Sequence, residues 1–529
     1  MRCHWGMAKF VSLLRCFRTR GGAGLLAGAL CLWVAGSAAA DVRLSHLFSD
    51  NMVLQRGKPV PIWGWAQDGE TVTVRFRDQT VTVQPKDGRW MARLQPLCAG
   101  GPDTLTVRGH NTITLTNVLV GEVWICSGQS NMEFPLRASY QARRDIEQAS
   151  NPMIRLFTVP KKKADAPADD VEASWQLCAP ETVPGFTAVG YYFGRSLQAS
   201  LGIPVGLIHT SWGGSPAEVW MSEDVLSGDP EYRRDILGAY RAARAGYEEA
   251  LKRWEAARTK AKEEGKPFKQ HRPWAPWKPS ELYNGMIAPL LPVAIRGAIW
   301  YQGESNADRA WQYRRLFADM IRNWRRDFGQ GDFPFLAVQL APWDANRHRP
   351  LEEITAQPTE SSWAELREAQ VLATQILPNV GLAVITDVGN KDDIHPNRKK
   401  PVGTRLALAA QVIAYHQKVA GLSPFYRAVR FENGRAIVSF DNAEGGLRAD
   451  GEPITGFAIA GKDRKFVWAR ARIVGNEVEV WSDAVPEPVA VRFGWADYPV
   501  VNLRGANGLP VSPFRTDDWP VTTQPKAKQ

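Results

Sequence analysis

The stretch Glu122-Val-Trp-Ile-Cys-Ser-Gly-Gln-Ser-Asn-Met-Glu133 holds the pattern on which the fold turns. Apolar residues run from Val118 to Cys126, interrupted only by Gly121 and Glu122, and predict a buried strand. The run stops at Ser127-Gly128-Gln129-Ser130-Asn131. Small and polar residues at the carboxyl end of a buried strand are where open α/β sheets place their chemistry. Gly128 permits a tight turn, which brings Ser130 to the start of the next helix, where backbone N–H groups can face an anion. Ser130 is therefore a candidate nucleophile. The competing role is an N-capping serine.

Outward from this stretch, strands alternate with helices. Ile154–Phe157, Val205–His209, Ile295–Trp300, Phe335–Gln339 and Val380–Thr386 read as buried strands. Helices are expected over about 190–199, 309–327, 363–376 and 402–415. This alternation predicts an α/β core with a doubly wound parallel sheet. The core should extend over residues 118–420, with a charged helical excursion over about 222–280 whose charges make a solvated face. Residues 41–117 alternate in short runs such as Thr71-Val-Thr-Val-Arg-Phe76 between turn signals, and predict an N-terminal β-sandwich. Residues 421–519 return to β patterning, and 520–529 form a polar tail.

Residues 1–40 read as a signal peptide: Arg2, Lys9, Arg15, Arg18 and Arg20 without an acid, an apolar run from Ala23 to Ala35, and an A-x-A site before Asp41. A periplasmic or secreted protein is expected, with no membrane attachment once the leader is removed. The leader holds five of the ten net formal charges, leaving +5 for the mature chain, so the basic balance does not point to nucleic acid. Lys161-Lys162-Lys163 lies among Asp165, Asp169 and Asp170, as a solvated loop would. Cys98, Cys126 and Cys178 remain after the leader, an odd number that sequence cannot pair.

Four strand ends carry the same glycine-rich polar signature. They are the Ser130 turn, Thr210-Ser-Trp-Gly-Gly-Ser215, Tyr301-Gln-Gly-Glu-Ser-Asn306 and Asp387-Val-Gly-Asn-Lys-Asp-Asp-Ile-His-Pro396. In this fold class all four open on one sheet edge, as an active site requires. Acyl transfer needs a hydroxyl, a base within hydrogen-bond reach and a group to orient that base. Of eight histidines only His209 and His395 stand at strand tips. His209 has no acid nearby and reads as a core histidine. His395 follows Asp392 by three residues, so a carboxylate can hold one ring nitrogen and leave the other for Ser130. The acids Asp387, Asp392 and Asp393 with one histidine do not make a zinc ligand set. No metal and no cofactor are expected.

The motifs Gly-Gln-Ser-Asn-Met-Glu, Trp-Gly-Gly-Ser-Pro, Trp-Tyr-Gln-Gly-Glu-Ser-Asn and Asp-Ile-His-Pro resemble the blocks of SGNH (GDSL-like) hydrolases. Within that superfamily they resemble the sialate O-acetylesterase family and related bacterial carbohydrate acetylesterases, over residues 41 to about 519. The resemblance implies an SGNH-like core with Ser130 as nucleophile, His395 as base and Asp392, or its neighbour Asp393, as the orienting acid. It implies an oxyanion hole from the Ser130 N–H, Gly213 or Gly214, and a side-chain amide from Gln302 or Asn306. Gln129, Asn131, Glu304 and Trp212 are expected at the substrate, with Glu304 bracing its loop there in preference to acid/base work.

The expected reaction is a two-step release of acetate from an O-acetylated carbohydrate. Either acetylated sialic acid or acetylated hemicellulose oligosaccharides would be the substrate. A non-catalytic carbohydrate-binding protein and a lipase or thioesterase are the alternatives. Oligomeric state is not legible.

Overall fold

The computed structural model describes residues 41–346 and 348–525, and the signal peptide expected over 1–40 lies outside them. The core strands are β1 (Thr112–Gly128), β2 (Asn151–Thr158), β3 (Val205–Ser211), β4 (Gly297–Tyr301), β5 (Phe335–Val338) and β6 (Val380–Ala383). Five helices matter to the site: α1 (Ala188–Leu201), α2 (Ala239–Glu263), α3 (Ala310–Phe328), α4 (Ser362–Ile376) and α5 (Lys399–Ile413). The order across the sheet is β2-β3-β1-β4-β5-β6, with every neighbouring pair parallel. The short strand Gln176–Cys178 closes the β2 edge in antiparallel sense.

Side chains alternate across a strand, and β1 feeds two cores. Trp124 and Cys126 pack with Leu156, Leu207 and Ile299 against α1 and α5. Val123 and Ile125 pack with Phe157, Ile208 and Trp300 against α3 and α4. Both faces of the parallel sheet are therefore covered, which is why its strands read as unbroken apolar runs. The fold is mixed α/β with several sheets.

The boundary expected between residues 117 and 118 falls inside β1, which runs 17 residues without a break. Its first half pairs antiparallel with Gly100–Arg108, and Leu119–Gly121 pair parallel with Val53–Gln55. Asn117 takes a left-handed φ of 55° between the two halves. Burial is interrupted up to Asn117 and continuous from Val118. The change in sequence pattern thus records a change of surroundings along one strand, not a chain reversal. The strands Val72–Phe76 and Gln79–Val83 extend this array. A separate three-stranded sheet is formed by Arg43–Leu44, Val60–Trp65 and Arg89–Leu94.

Between β3 and β4 the chain leaves the core. α2 buries none of its side chains fully. Half-buried residues such as Tyr240, Tyr247, Leu251 and Trp254 form one stripe, and the charged remainder is the solvated face that was expected. The excursion is anchored at its ends, by buried Tyr232 and Ile236 before α2 and by Trp277 on the return, which meets Trp212 edge-on at 5.6 Å. After α5 the chain forms two four-stranded sheets and a two-stranded ribbon around a core of its own. No helix among the described residues is long and apolar enough to cross a membrane. Cys98, Cys126 and Cys178 are free thiols.

Candidate active site

β1 ends at Gly128 with φ 138°, and a Cβ there would lie 2.2 Å from the Tyr301 carbonyl oxygen of β4. Only glycine fits this close approach. Ser130 is the first residue of a short helix, Ser130–Glu133, with Gln129 in the capping position. Its hydroxyl caps nothing. Ser130 Oγ lies 2.8 Å from His395 Nε2 across 265 residues of chain. No acceptor among the described residues takes the Ser130 N–H.

His395 sits in the loop after β6. Its backbone N–H donates to Asp393 Oδ1 at 2.9 Å, and its ring Nδ1 stands 3.7 Å from the same oxygen. That is an ion-pair distance and not a hydrogen bond. Asp392, expected to orient the ring, faces the other way. It accepts from Lys391 Nζ at 2.7 and 2.8 Å and from the His348 N–H at 2.9 Å. The three-residue spacing allowed the reach, but the turn directs Asp392 outward and leaves Asp393 as the acid at the ring. Burial pushes the imidazole below its ordinary pKa, the Lys399 charge lowers it further, and Asp393 opposes both. Asp387 is likewise engaged, by two Arg405 nitrogens at 2.6 and 2.7 Å. His209 is buried, bonded to Ser211 Oγ at 2.6 Å, and pushed by burial down to about 4. It stays neutral.

Among the expected oxyanion donors, Gly213 is beside Ser130: a Cβ on it would stand 3.2 Å from the serine Cβ. Its N–H is already taken by Glu133 Oε2 at 2.6 Å, while Glu133 Oε1 accepts from Lys161 Nζ at 2.5 Å. Gly214, at φ 74°, has an N–H with no acceptor among the described residues. The side-chain amides correct the expectation. Gln302 is fully buried, and its Nε2 donates to Asn306 Oδ1 at 2.6 Å and the Ser215 carbonyl at 3.3 Å. Asn306 is also fully buried, and its Nδ2 donates to Glu218 Oε2 at 3.0 Å. Buried amides satisfy their donors internally, so both brace the β4 tip rather than face a substrate.

Gln129 and Asn131, expected to touch substrate, are buried as well. Gln129 Oε1 accepts from the Gly303 and Ser305 N–H groups at 3.4 and 3.3 Å. Asn131 Nδ2 donates to Glu304 Oε1 at 2.6 Å and to the Ile394 carbonyl at 3.0 Å, and its Oδ1 accepts from Lys399 Nζ. Burial raises the Glu304 carboxyl and pushes the Lys399 ammonium down to about 7. Glu304, expected at the substrate, is buried and braces the Ser130 turn through Asn131.

The wall beside Ser130 is aromatic and basic. Trp212 is half-buried against Trp277, with Lys161 Nζ 5.3 Å from the Trp212 ring and Lys163 Nζ 4.0 Å from the Trp277 ring. Both lysines are exposed in a loop, as expected, and they border this aromatic wall. Sequence reasoning also missed Glu133, Trp277 and Lys399. Glu133 stood inside the quoted motif and carried a signal; the other two lie far along the chain and carried none.

Serine hydroxyl, imidazole and free backbone N–H on the carboxyl edge of a parallel sheet are the components of acyl transfer. The chain matches the family model described as "Carbohydrate esterase, sialic acid-specific acetylesterase" over residues 120–267 and 263–413. It is 29% identical to mouse sialate O-acetylesterase over 91% of this chain and 95% of the mouse protein. It is 31% identical to the rat sialate O-acetylesterase, covering 73% and 76% of the two chains. Among solved structures, a carbohydrate acetylesterase from Xanthomonas citri superposes with a TM-score of 0.77 at 38% identity, covering 90% of this chain and all of that one. The fold and these relatives define a carboxylic ester hydrolase. The chain belongs to the sialic acid-specific acetylesterase family of carbohydrate esterases.

Proposed function

We propose that this chain is an exported serine O-acetylesterase that releases acetate from acetylated sugars, working on an SGNH-type doubly wound core next to an N-terminal β-sandwich. The observation that carries this reading is the 2.8 Å contact between Ser130 Oγ and His395 Nε2 at the carboxyl edge of the sheet. Ser130 attacks the acetyl carbonyl while His395 takes its proton. The developing oxyanion meets the Ser130 N–H, and His395 then protonates the departing sugar hydroxyl. Water, deprotonated by the same imidazole, releases acetate. Gly214 offers a second backbone donor without a competing acceptor. Gly213 joins only when the Glu133 carboxylate gives up its N–H. Asp393 steadies the imidazolium as an exposed charge at ion-pair range. Export rests on the pattern of residues 1–40.

The Trp212–Trp277 wall supports a sugar as the group that leaves, since rings of this kind stack on pyranose faces. The sialate reading rests on the names of the mammalian relatives, since Lys161 and Lys163 on this wall are paired with Glu133 and Glu281. The test is acetate release from O-acetylated sialic acids and from acetylated hemicellulose oligosaccharides, with wild type and Ser130→Ala. A loss on the order of 10⁶-fold in kcat is expected for the variant. Undiminished release would end the serine mechanism, and preference for the neutral oligosaccharide would end the sialate reading.

A further inference from the structure

We infer that Lys399 is a positioning residue of this esterase, locking the backbone behind Ser130 to the backbone in front of His395 through Asn131. The inference rests on the Ser130–His395 reading above.

Lys399 lies in the first turn of α5 and is fully buried. Its Nζ sits 4.8 Å from the Phe134 ring and 5.3 Å from the Tyr301 ring, and donates to Asn131 Oδ1. Burying an ammonium is strongly unfavourable, and a methionine of similar length would fill the same space without that penalty. The charge therefore does something an apolar chain does not. An asparagine amide has two ends of nearly equal size, and the protonated Lys399 present below about pH 7 bonds only the oxygen. With Oδ1 held by Lys399, Nδ2 points to Glu304 Oε1 at 2.6 Å and to the Ile394 carbonyl at 3.0 Å. The flipped amide would set oxygen against both of those acceptors.

Asn131 follows the nucleophile directly, and the Ile394 carbonyl belongs to the peptide unit whose nitrogen is that of His395. One amide thus spans two loops that are 263 residues apart in the chain, and Lys399 selects the orientation that joins them. Lys399 acts on the imidazole in a second way. Its charge opposes protonation of His395, which otherwise faces the Asp393 carboxylate and Ser130 Oγ. Lys399 itself faces the Glu304 and Asp393 carboxylates, both of which favour its charged form against burial.

The test is Lys399→Met in the full chain, with kcat, KM and the acid limb of kcat/KM measured on p-nitrophenyl acetate, and folding followed by thermal unfolding. Groups that orient a reactive centre from behind typically contribute about 10–100-fold. A drop in kcat of that size with nearly unchanged KM is expected. The acid limb should move to higher pH, because His395 loses a neighbouring positive charge. A folded variant with kcat within about threefold of wild type overturns the proposal. So does a loss of activity with an unmoved acid limb, since a purely structural lysine would produce that result.

Should Lys399→Met fail to fold, Asn131→Asp decides. Its carboxylate still accepts from Lys399 but has no N–H for the Ile394 carbonyl, so the same kcat loss is expected, and wild-type kcat would overturn the proposal. Activity surviving in Ser130→Ala would instead sink the serine reading itself, whatever Lys399 does.

Discussion

An imidazole facing a serine hydroxyl, half withdrawn from water and with a buried ammonium behind it, holds a proton less readily than in solution. The direction has a kinetic consequence. A general base works in its neutral form, and a lowered pKa keeps His395 neutral to lower pH. The acid limb of kcat/KM is therefore expected below the usual histidine value of about 6.5. A pH–rate profile on an acetyl ester that does not itself titrate checks this, and a midpoint above that value would contradict the environment described for the ring. The exposed Asp393 at 3.7 Å is too weak a partner to reverse the sign.

At the scale of elements, the site depends on how closely β1 approaches β4. Gly128 combines a φ of 138° with a Tyr301 carbonyl where its Cβ would be. Backbone strain of this kind costs about 1–3 kcal/mol for a residue with a side chain, and the contact with rigid backbone adds to it. Gly128→Ala is expected to lower stability by about 3 kcal/mol or more, measured by chemical denaturation. Activity should fall with it, because the turn that presents Ser130 must shift. The excursion illustrates the opposite case. α2 buries no side chain fully, yet the chain it returns brings Trp277 onto Trp212. Its charged helix shapes the molecule's surface, while the aromatic residue that follows shapes the site.

Over the whole molecule, buried guanidiniums help tie the C-terminal β region to the core, and Arg367 is bonded most widely between the two. Arg367 of α4 donates to the Leu340 and Ala341 carbonyls at 2.8 and 3.3 Å, and to the Ala496 and Asp497 carbonyls at 2.7 and 2.9 Å. Arg504 reaches Asp387 from the same region at 3.2 Å. Asp387 lies only a few residues from the His395 loop, so the C-terminal strands help to set that loop's base. Arg367→Met would leave buried carbonyls without partners, each worth about 1–3 kcal/mol. A loss of about 3 kcal/mol or more is expected in chemical denaturation, with the C-terminal region unfolding first. A single transition at wild-type position would show that the two regions hold together without it.

The strand-end motifs, the alternation of strands and helices and the Ser130–His395 pair were all legible in sequence. A sheet covered on both faces demands unbroken apolar runs, and its chemistry collects where those runs stop. The passage of β1 from the N-terminal array into the core was legible only as a change of pattern, and was read as a boundary. Tertiary structure alone decided which of two adjacent aspartates faces the ring, which amides turn inward, that Glu133 holds the Gly213 N–H, and that Lys399 is buried beside the Ser130 turn. Spacing along a loop sets how far a side chain can reach. Its direction is set by the turn that carries it and by partners hundreds of residues away, and neither of these is written in the local sequence.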